Sequence, residues 1–134
     1  MAEIVTITEV GPRDGLQLIA QAVPTAAKMQ WIKALHAAGV RDIEVGSFVS
    51  PRLVPQMADS AEVVKQALQI PGLSVYALAA NLKGAMAAYE AGAHAIVIPL
   101  SVSDRHSRAN VNKGTLEHIA AIGDIIEWLR SQPR

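Results

Sequence analysis

Apolar and polar residues follow the same two-part pattern four times along the chain. Each time, a short β-branched and apolar run predicts a buried strand, and a longer segment with apolar residues at helical spacing predicts a helix. The predicted strands cover residues 3–10, 40–46, 73–79 and 93–99, and the predicted helices cover residues 24–38, 60–69, 82–91 and 115–129. The order βαβαβαβα predicts an α/β fold with a parallel sheet and right-handed crossovers.

Residues at the ends of the predicted helices agree with these boundaries. Pro24 begins the first helix and Gly39 follows its end, where proline and glycine are favoured. Ser60 is predicted to cap the second helix, and Asn81 is interpreted as the cap of the third.

Two architectures contain four such units: a small doubly wound sheet and one half of a closed (β/α)8 barrel. Hydrophobic periodicity does not choose between them. A complete barrel takes about 250 residues, and the 134 residues of this chain are about half of that number. We expect residues 1–134 to form a single domain.

Composition narrows the class of protein. With 51% hydrophobic and 18% charged residues, the chain has the profile of a globular domain. The chain has twelve basic and twelve acidic residues, and 4% of its residues are aromatic. This composition gives no sign of a nucleic-acid-binding surface. The absence of cysteine excludes disulfides and thiolate metal sites. No apolar run approaches the roughly 20 residues of a membrane helix, and no signal peptide is visible, so we expect a cytoplasmic protein without a membrane partner.

Candidate chemistry lies where the first predicted strand ends, because reactive groups in parallel α/β folds gather at the carboxyl ends of strands. Arg13 and Asp14 are adjacent there, before Gly15. The carboxylate suits a hard cation such as Mg²⁺ or Mn²⁺. The guanidinium suits an oxyanion or a carboxylate. A solvated turn would explain the same residues, and spacing alone favours that interpretation.

The second predicted strand carries Glu44 on the face opposite Ile43 and Val45. Both faces of a parallel sheet are covered, so this carboxylate should be partly buried and should need a cation. Arg13 is the candidate partner, either in a purely structural ion pair or in a functional one. Ser47, in the loop that follows, could orient a ligand.

The fourth predicted strand leads into a polar loop at residues 101–113 that is basic at its centre. Such a loop suits a phosphorylated or carboxylated ligand, and an ordinary solvated loop is an equal alternative. The four histidines are scattered along the chain, and we expect surface or capping positions for all of them. His106 is predicted on the reactive face, and the others are His36, His94 and His118.

Residues 9–17, EVGPRDGLQ, resemble the first-strand motif of hydroxymethylglutaryl-CoA lyases, a branch of the barrel metallolyases. Isopropylmalate and homocitrate synthases share the Arg-Asp-Gly core but usually have Thr-Leu in place of Gly-Pro. Residues 43–57, 81–84 and 110–112 also resemble the lyase branch. The resemblance covers essentially the whole chain and implies the first four βα units of a (β/α)8 barrel.

The resemblance also implies a reaction and a role for each residue. The reaction is a retro-Claisen cleavage of an acyl-CoA of the 3-hydroxy-3-methylglutaryl-CoA type, which yields acetyl-CoA and acetoacetate. Asp14 would ligate Mg²⁺ or Mn²⁺, and Arg13 would stabilise the enolate. Glu44, the second catalytic residue, would help to hold the geometry of Arg13 and the substrate. The residues expected to contact substrate are Arg13, Gln17, Ser47 and Asn110.

The family's His-x-His metal pair, a further Asn ligand and a loop cysteine belong to the second half of the barrel, so we expect the isolated chain to be inactive. We expect it to form a homo-oligomer or to pair with a second half. Residues 18–21 and 101–113 depart from the commonest lyase sequence, which leaves a related acyl-CoA such as citramalyl-CoA as an alternative substrate. A non-catalytic half-barrel that binds or assembles is the alternative from another class.

Overall fold

The computed structural model describes residues 5–133, which form one four-stranded parallel sheet with helices between the strands. The strands lie in the order β1-β2-β3-β4, so consecutive strands are neighbours. The predicted parallel α/β class is confirmed. The elements in chain order are β1 (Thr8–Glu9), α1 (Thr25–Ala37), β2 (Asp42–Ser47), α2 (Ser60–Ala67), β3 (Ser74–Leu78), α3 (Leu82–Ala91), β4 (Ala95–Val97), α4 (Asp104–Val111) and α5 (Thr115–Arg130).

The two outer strands are much shorter than the apolar runs that predicted them. The run at residues 3–10 yields two strand residues, and the run at residues 93–99 yields three; residues 3 and 4 lie outside the described range. The physical reason is that β1 and β4 each have a neighbour on one side only, so half of their backbone groups make no ladder bonds. The central strands β2 and β3 have six and five residues.

Helix α4 corrects the prediction that residues 101–113 are a loop. The side chain of Ser103 caps the helix by accepting a hydrogen bond from the backbone of His106, at 3.3 Å. Asp104 and Arg108 form an ion pair across one turn, and the left-handed backbone of Asn112 ends the helix. Hydrophobic periodicity missed α4 because it is almost entirely polar; the Ser103 cap was the available signal.

The two predicted caps have opposite outcomes. Asn81 caps α3 by accepting a hydrogen bond from the backbone of Gly84 at 2.9 Å, as predicted. The prediction for Ser60 is wrong: Asp59 precedes α2 and Ser60 is its first residue. The hydroxyl of Ser60 is buried and bonds the end of β2 instead.

The main core lies between the sheet and helices α1 to α3. Strands β2 and β3 alternate, so that their apolar side chains face these helices, and burial of each such side chain contributes about 1.5–3 kcal/mol. The buried residues of this cluster include Met29, Ile32, Ile43, Val45, Val63, Val64, Val75 and Ala77.

The opposite side of the sheet, here called the inner face, carries polar side chains on its central strands. On it, Tyr76 donates a hydrogen bond to Asp42 Oδ1 at 3.1 Å. This bond, together with burial and the negative charge of Asp42, raises the pKa of Tyr76. Glu44 occupies the same face one layer nearer to the carboxyl end of β2, since side chains alternate along a strand.

Helix α5 packs on α3 through a second, smaller core cluster around Ala79, Ala85 and Ile125. His118 shares a face of α5 with Ile125 and is buried, so the prediction of a surface or capping position is wrong for this histidine. The reason is its spacing of seven residues from Ile125, which puts both side chains on one helix face. No helix within residues 5–133 is both long and apolar enough to cross a bilayer.

Candidate active site

A single turn of π-helix, Gly11–Gly15, follows β1 and places Arg13 at the carboxyl end of the sheet. The backbone N–H of Gly11 donates to Glu9 Oε1 at 2.6 Å. A Cβ atom at Gly11 would lie 2.9 Å from that oxygen and 3.0 Å from the ring of Trp31. A larger residue here would therefore have to displace the ends of the Glu9 and Trp31 side chains. Isolated π-turns of this kind often occur at functional sites.

Arg13 and Glu44 form a two-point ion pair between the π-turn and β2. Arg13 Nε donates to Glu44 Oε1 at 2.7 Å, and Nη2 donates to Oε2 at 3.1 Å. The Glu44 side chain is only 3% exposed, so Arg13 supplies the cation that its burial requires. The sequence predicted this partnership. The pair fixes the plane of the guanidinium as well as its position.

Asp14 completes the cluster from the other side of the guanidinium. Arg13 Nη1 donates to Asp14 Oδ1 at 2.7 Å. An arginine carries five N–H groups, and three of them bind the two carboxylates. The remaining two, one on each terminal nitrogen, have no acceptor among the described residues. Arg13 is thus held in advance as a donor pair for an anionic group.

Two buried polar atoms beside this cluster lack a hydrogen-bond partner within the described part of the chain. They are Gln17 Oε1, just after the π-turn, and Ser47 Oγ, at the end of β2. Buried polar atoms in folded proteins are nearly always paired. Their position at the carboxyl ends of β1 and β2 makes both atoms suitable for binding a polar ligand or an ordered water.

An irregularity in β2 sets the position of Ser47. Glu44 pairs with Tyr76 but Gly46 pairs with Ala77, so the register shifts between Glu44 and Gly46. Such bulges re-aim side chains near active sites. The backbone N–H of Ser47 then donates to Ser60 Oγ at 2.9 Å. A Cβ atom at Gly46 would lie 2.7 Å from that same oxygen, so this approach requires glycine.

A buried lysine ties together the segments that follow β1 and β2, and the sequence analysis missed it. Lys28 Nζ contacts Asp59 Oδ1 at 2.5 Å and donates to the carbonyl of Gln56 at 2.6 Å. The Gln56 amide in turn donates to the carbonyl of Ile19 at 2.6 Å, and Thr25 donates to Asp59 Oδ2 at 2.7 Å. The available signal was the place of Lys28 in the helical spacing of the apolar residues of α1.

Asn110 is the predicted site residue that the structure does not bring to this cluster. It is exposed on α4, after the strand farthest from β1, and no hydrogen bond between described residues links it to Arg13 or Glu44. His106 lies on the same helix and contacts Ser101 Oγ through Nδ1 at 2.7 Å.

The described residues fit a divalent cation only in part. The Asp14 side chain is 52% exposed and offers an oxygen ligand at the carboxyl end of β1. Across residues 5–133, however, no group of three or more His, Cys, Asp or Glu side chains could hold a metal. Mg²⁺ and Ca²⁺ take six or more ligands, mainly oxygens. Asp14 alone therefore does not make a cation site.

A parallel α/β sheet with polar groups gathered at the carboxyl ends of its strands is the arrangement found at the active sites of α/β barrel enzymes. Residues 4–133 match the model of the HMGL-like family, and the chain belongs to that family. It is 46% identical over 126 residues to the 3-hydroxy-3-isohexenylglutaryl-CoA/hydroxy-methylglutaryl-CoA lyase of Pseudomonas aeruginosa, covering 94% of this chain and 42% of that protein. It is 42% identical to the mitochondrial hydroxymethylglutaryl-CoA lyase of Gallus gallus, covering 95% of this chain and 43% of that protein.

Solved structures agree with this assignment. Hydroxymethylglutaryl-CoA lyase from Pseudomonas aeruginosa superposes with a TM-score of 0.87 at 44% identity, covering 94% of this chain and 42% of that one. An HMG-CoA lyase from Acinetobacter baumannii in complex with coenzyme A and 3-methylmalate gives 0.89 at 36% identity, covering 96% and 42%. The chain is therefore a half-barrel, and it spans about two fifths of the length of these relatives.

The ion pair can be tested through stability. Arg13→Met leaves Glu44 buried without a cation, which should lower the free energy of unfolding by up to about 3–5 kcal/mol. Adding Glu44→Gln should recover part of that loss, because no charge is then buried alone. Urea unfolding measures both. Arg108→Met, which breaks an exposed pair, is the control and should change little. Equal losses for Arg13→Met and Arg108→Met would contradict the geometry.

Proposed function

We propose that this chain supplies one half of the active site of a metal-dependent carbon–carbon lyase. The substrate is an acyl-CoA of the 3-hydroxy-3-methylglutaryl-CoA type, and the products are acetyl-CoA and acetoacetate. One observation carries the proposal: Arg13 is fixed by Glu44 and Asp14 and keeps two N–H donors that have no acceptor among the described residues. The lyase names of the relatives support the same reaction class.

The reaction requires stabilisation of negative charge on the part of the substrate that leaves. A base removes the proton of the tertiary hydroxyl, the adjacent carbon–carbon bond breaks, and the hydroxyl carbon becomes a ketone. The electron pair passes to the departing thioester, which becomes an enolate and is then protonated to acetyl-CoA. The free donors of Arg13 bind the enolate oxygen. Both oxygens of Glu44 are bound to Arg13, so Glu44 acts as a positioning residue rather than as the base.

The other predicted residues have supporting roles in this proposal. Gln17 Oε1 and Ser47 Oγ, which lack partners among the described residues, bind polar groups of the acyl chain. Asn110, on the exposed surface of α4, makes a more distant contact with substrate. A divalent cation, Mg²⁺ or Mn²⁺, would polarise the substrate hydroxyl when bound, and Asp14 is the residue of this chain that would ligate it.

Activity requires further residues from a second barrel half, and the isolated chain is inactive in this proposal.

Residues 1–134 act as one domain in this proposal. The location that we propose is the cytoplasm; relatives include both cytoplasmic and mitochondrial lyases.

Metal binding by the chain alone should be weak, because Asp14 is the one ligand that we assign. Titration calorimetry with Mn²⁺ should give no saturable micromolar site. Asp14→Asn provides the matched variant, since it should remove any residual binding that depends on this carboxylate. Micromolar affinity that survives in Asp14→Asn would place the cation elsewhere, and micromolar affinity that this substitution abolishes would show that no second half is needed.

The catalytic roles can be tested in a chimaera in which this chain replaces the matching segment of the Pseudomonas aeruginosa lyase. Arg13→Met should reduce turnover about 10²–10³-fold with little change in metal affinity. Asp14→Asn should weaken metal binding, and excess Mn²⁺ should partly restore its activity. Arg13→Lys should rescue poorly, because an ammonium cannot reproduce the guanidinium fork.

The matched control is Arg41→Met, which removes an exposed guanidinium whose hydrogen bonds to described residues go to backbone carbonyls. Acetyl-CoA release from 3-hydroxy-3-methylglutaryl-CoA and from citramalyl-CoA identifies the substrate. A folded chimaera that cleaves neither thioester would overturn the proposed function. If Arg13→Met loses metal as badly as Asp14→Asn, the assigned division of roles is wrong.

A further inference from the structure

Residues 18–23 join the π-turn to α1 and have no regular secondary structure. Gln56, in the short turn before α2, donates a hydrogen bond from Nε2 to the carbonyl of Ile19 at 2.6 Å. Among the described residues, this is the one hydrogen bond that links residues 18–23 to another element. We call it the Gln56 tether.

Gln56 is itself fixed by a buried contact with α1. Its backbone carbonyl accepts a hydrogen bond from Lys28 Nζ at 2.6 Å. Lys28 also pairs with Asp59 at 2.5 Å, and its side chain is only 2% exposed. A buried side chain with both contacts satisfied has little freedom to move. The tether therefore connects residues 18–23 to a rigid part of the fold.

The same rigid part positions the end of β2. Ser60 follows Asp59, and its Oγ accepts a hydrogen bond from the backbone N–H of Ser47 at 2.9 Å. On the other side, Gln17 lies two residues before Ile19, the residue that the tether holds. Gln17 and Ser47 carry the two buried polar atoms that lack a partner among the described residues. The start of α2 thus sets the position of both atoms.

We propose that Gln56 is a positioning residue for the acyl chain of the substrate. Through the tether it fixes Gln17 relative to Ser47, so that both side chains meet polar groups of one ligand. Gln56 itself does not contact the substrate. This inference rests on the proposed function and adds to it a residue that controls binding.

The tether and the guanidinium are held by different contacts, which separates their effects. Arg13 is bound to Glu44 on β2 and does not depend on Gln56. Loss of the tether should therefore weaken binding of the ground state and of the transition state alike. Such a loss raises KM and leaves kcat unchanged.

The kinetic test uses the chimaera with the Pseudomonas aeruginosa lyase. Gln56→Met removes the amide and keeps the length of the side chain. It should raise KM for the cleaved thioester about tenfold, the equivalent of about one hydrogen bond, with kcat unchanged. Gln66→Met is the matched control. It removes an exposed amide that donates to Glu62 within α2 at 2.7 Å, and it should leave both constants unchanged.

The tether can also be tested without a ligand, by limited proteolysis of the 134-residue chain. Thermolysin cleaves before exposed apolar residues, and Leu18 and Ile19 are both exposed. Gln56→Met should speed cleavage at these residues about fivefold, because the segment then opens more often. Gln56→Glu, which keeps the shape but has no donor at neutral pH, should have the same effect. Gln66→Met should cleave as the parent chain does.

The possible failures of this inference differ from those of the proposed function. Cleavage of Gln56→Met at the parent rate would show that the tether does not hold the segment. An active chimaera in which Gln56→Met leaves KM unchanged, or lowers kcat as Arg13→Met does, would overturn the positioning role alone. A parent chimaera that cleaves neither thioester would overturn the proposed function and, with it, this inference.

Discussion

The two-point ion pair between Arg13 and Glu44 is the interaction on which the arrangement of the site depends. Glu44 lies on a central strand of a parallel sheet, where both faces are covered and a lone carboxylate would be unstable. Its burial therefore requires a cation at hydrogen-bond distance, and the π-turn after β1 delivers one. The same pair connects the carboxyl ends of β1 and β2. It leaves the guanidinium rigid, with two N–H groups that have no acceptor in the part of the chain that the structure describes.

The strand and helix pattern, the parallel sheet and the Arg13–Glu44 contact could be predicted from the sequence. Each follows from a local rule: the periodicity of apolar residues, or the need of a buried charge for a partner. Helix α4, the burial of His118 and the ion pair of Lys28 with Asp59 were missed, although the Ser103 cap and the helical spacing of Lys28 and His118 were available signals. α4 has almost no apolar residues to reveal its period, and the other two depend on which helices pack together. The short outer strands reflect missing neighbours, which one chain's sequence does not show.

The site and the open edges of the half-barrel are physically separate features. Arg13, Glu44 and Ser47 are fixed within this half, by contacts between β1, β2 and α2. The open edges are those of β1 and β4, at the two ends of the sheet. Closure of a barrel across those edges would surround the site without rearranging it. A donor group that is already in place before closure avoids reorganisation during the reaction.

The exchange rate of the Arg13 Nε proton with solvent tests the preorganised guanidinium most directly. This N–H is bound to a buried carboxylate oxygen at 2.7 Å, whereas Arg108 Nε binds an exposed one at 2.9 Å. In proton–nitrogen NMR spectra of the chain without ligand, Arg13 should give a protected Nε–H signal that exchanges far more slowly than that of Arg108. Glu44→Gln should remove this protection. Equal exchange rates for the two arginines would contradict a guanidinium fixed in advance of ligand binding.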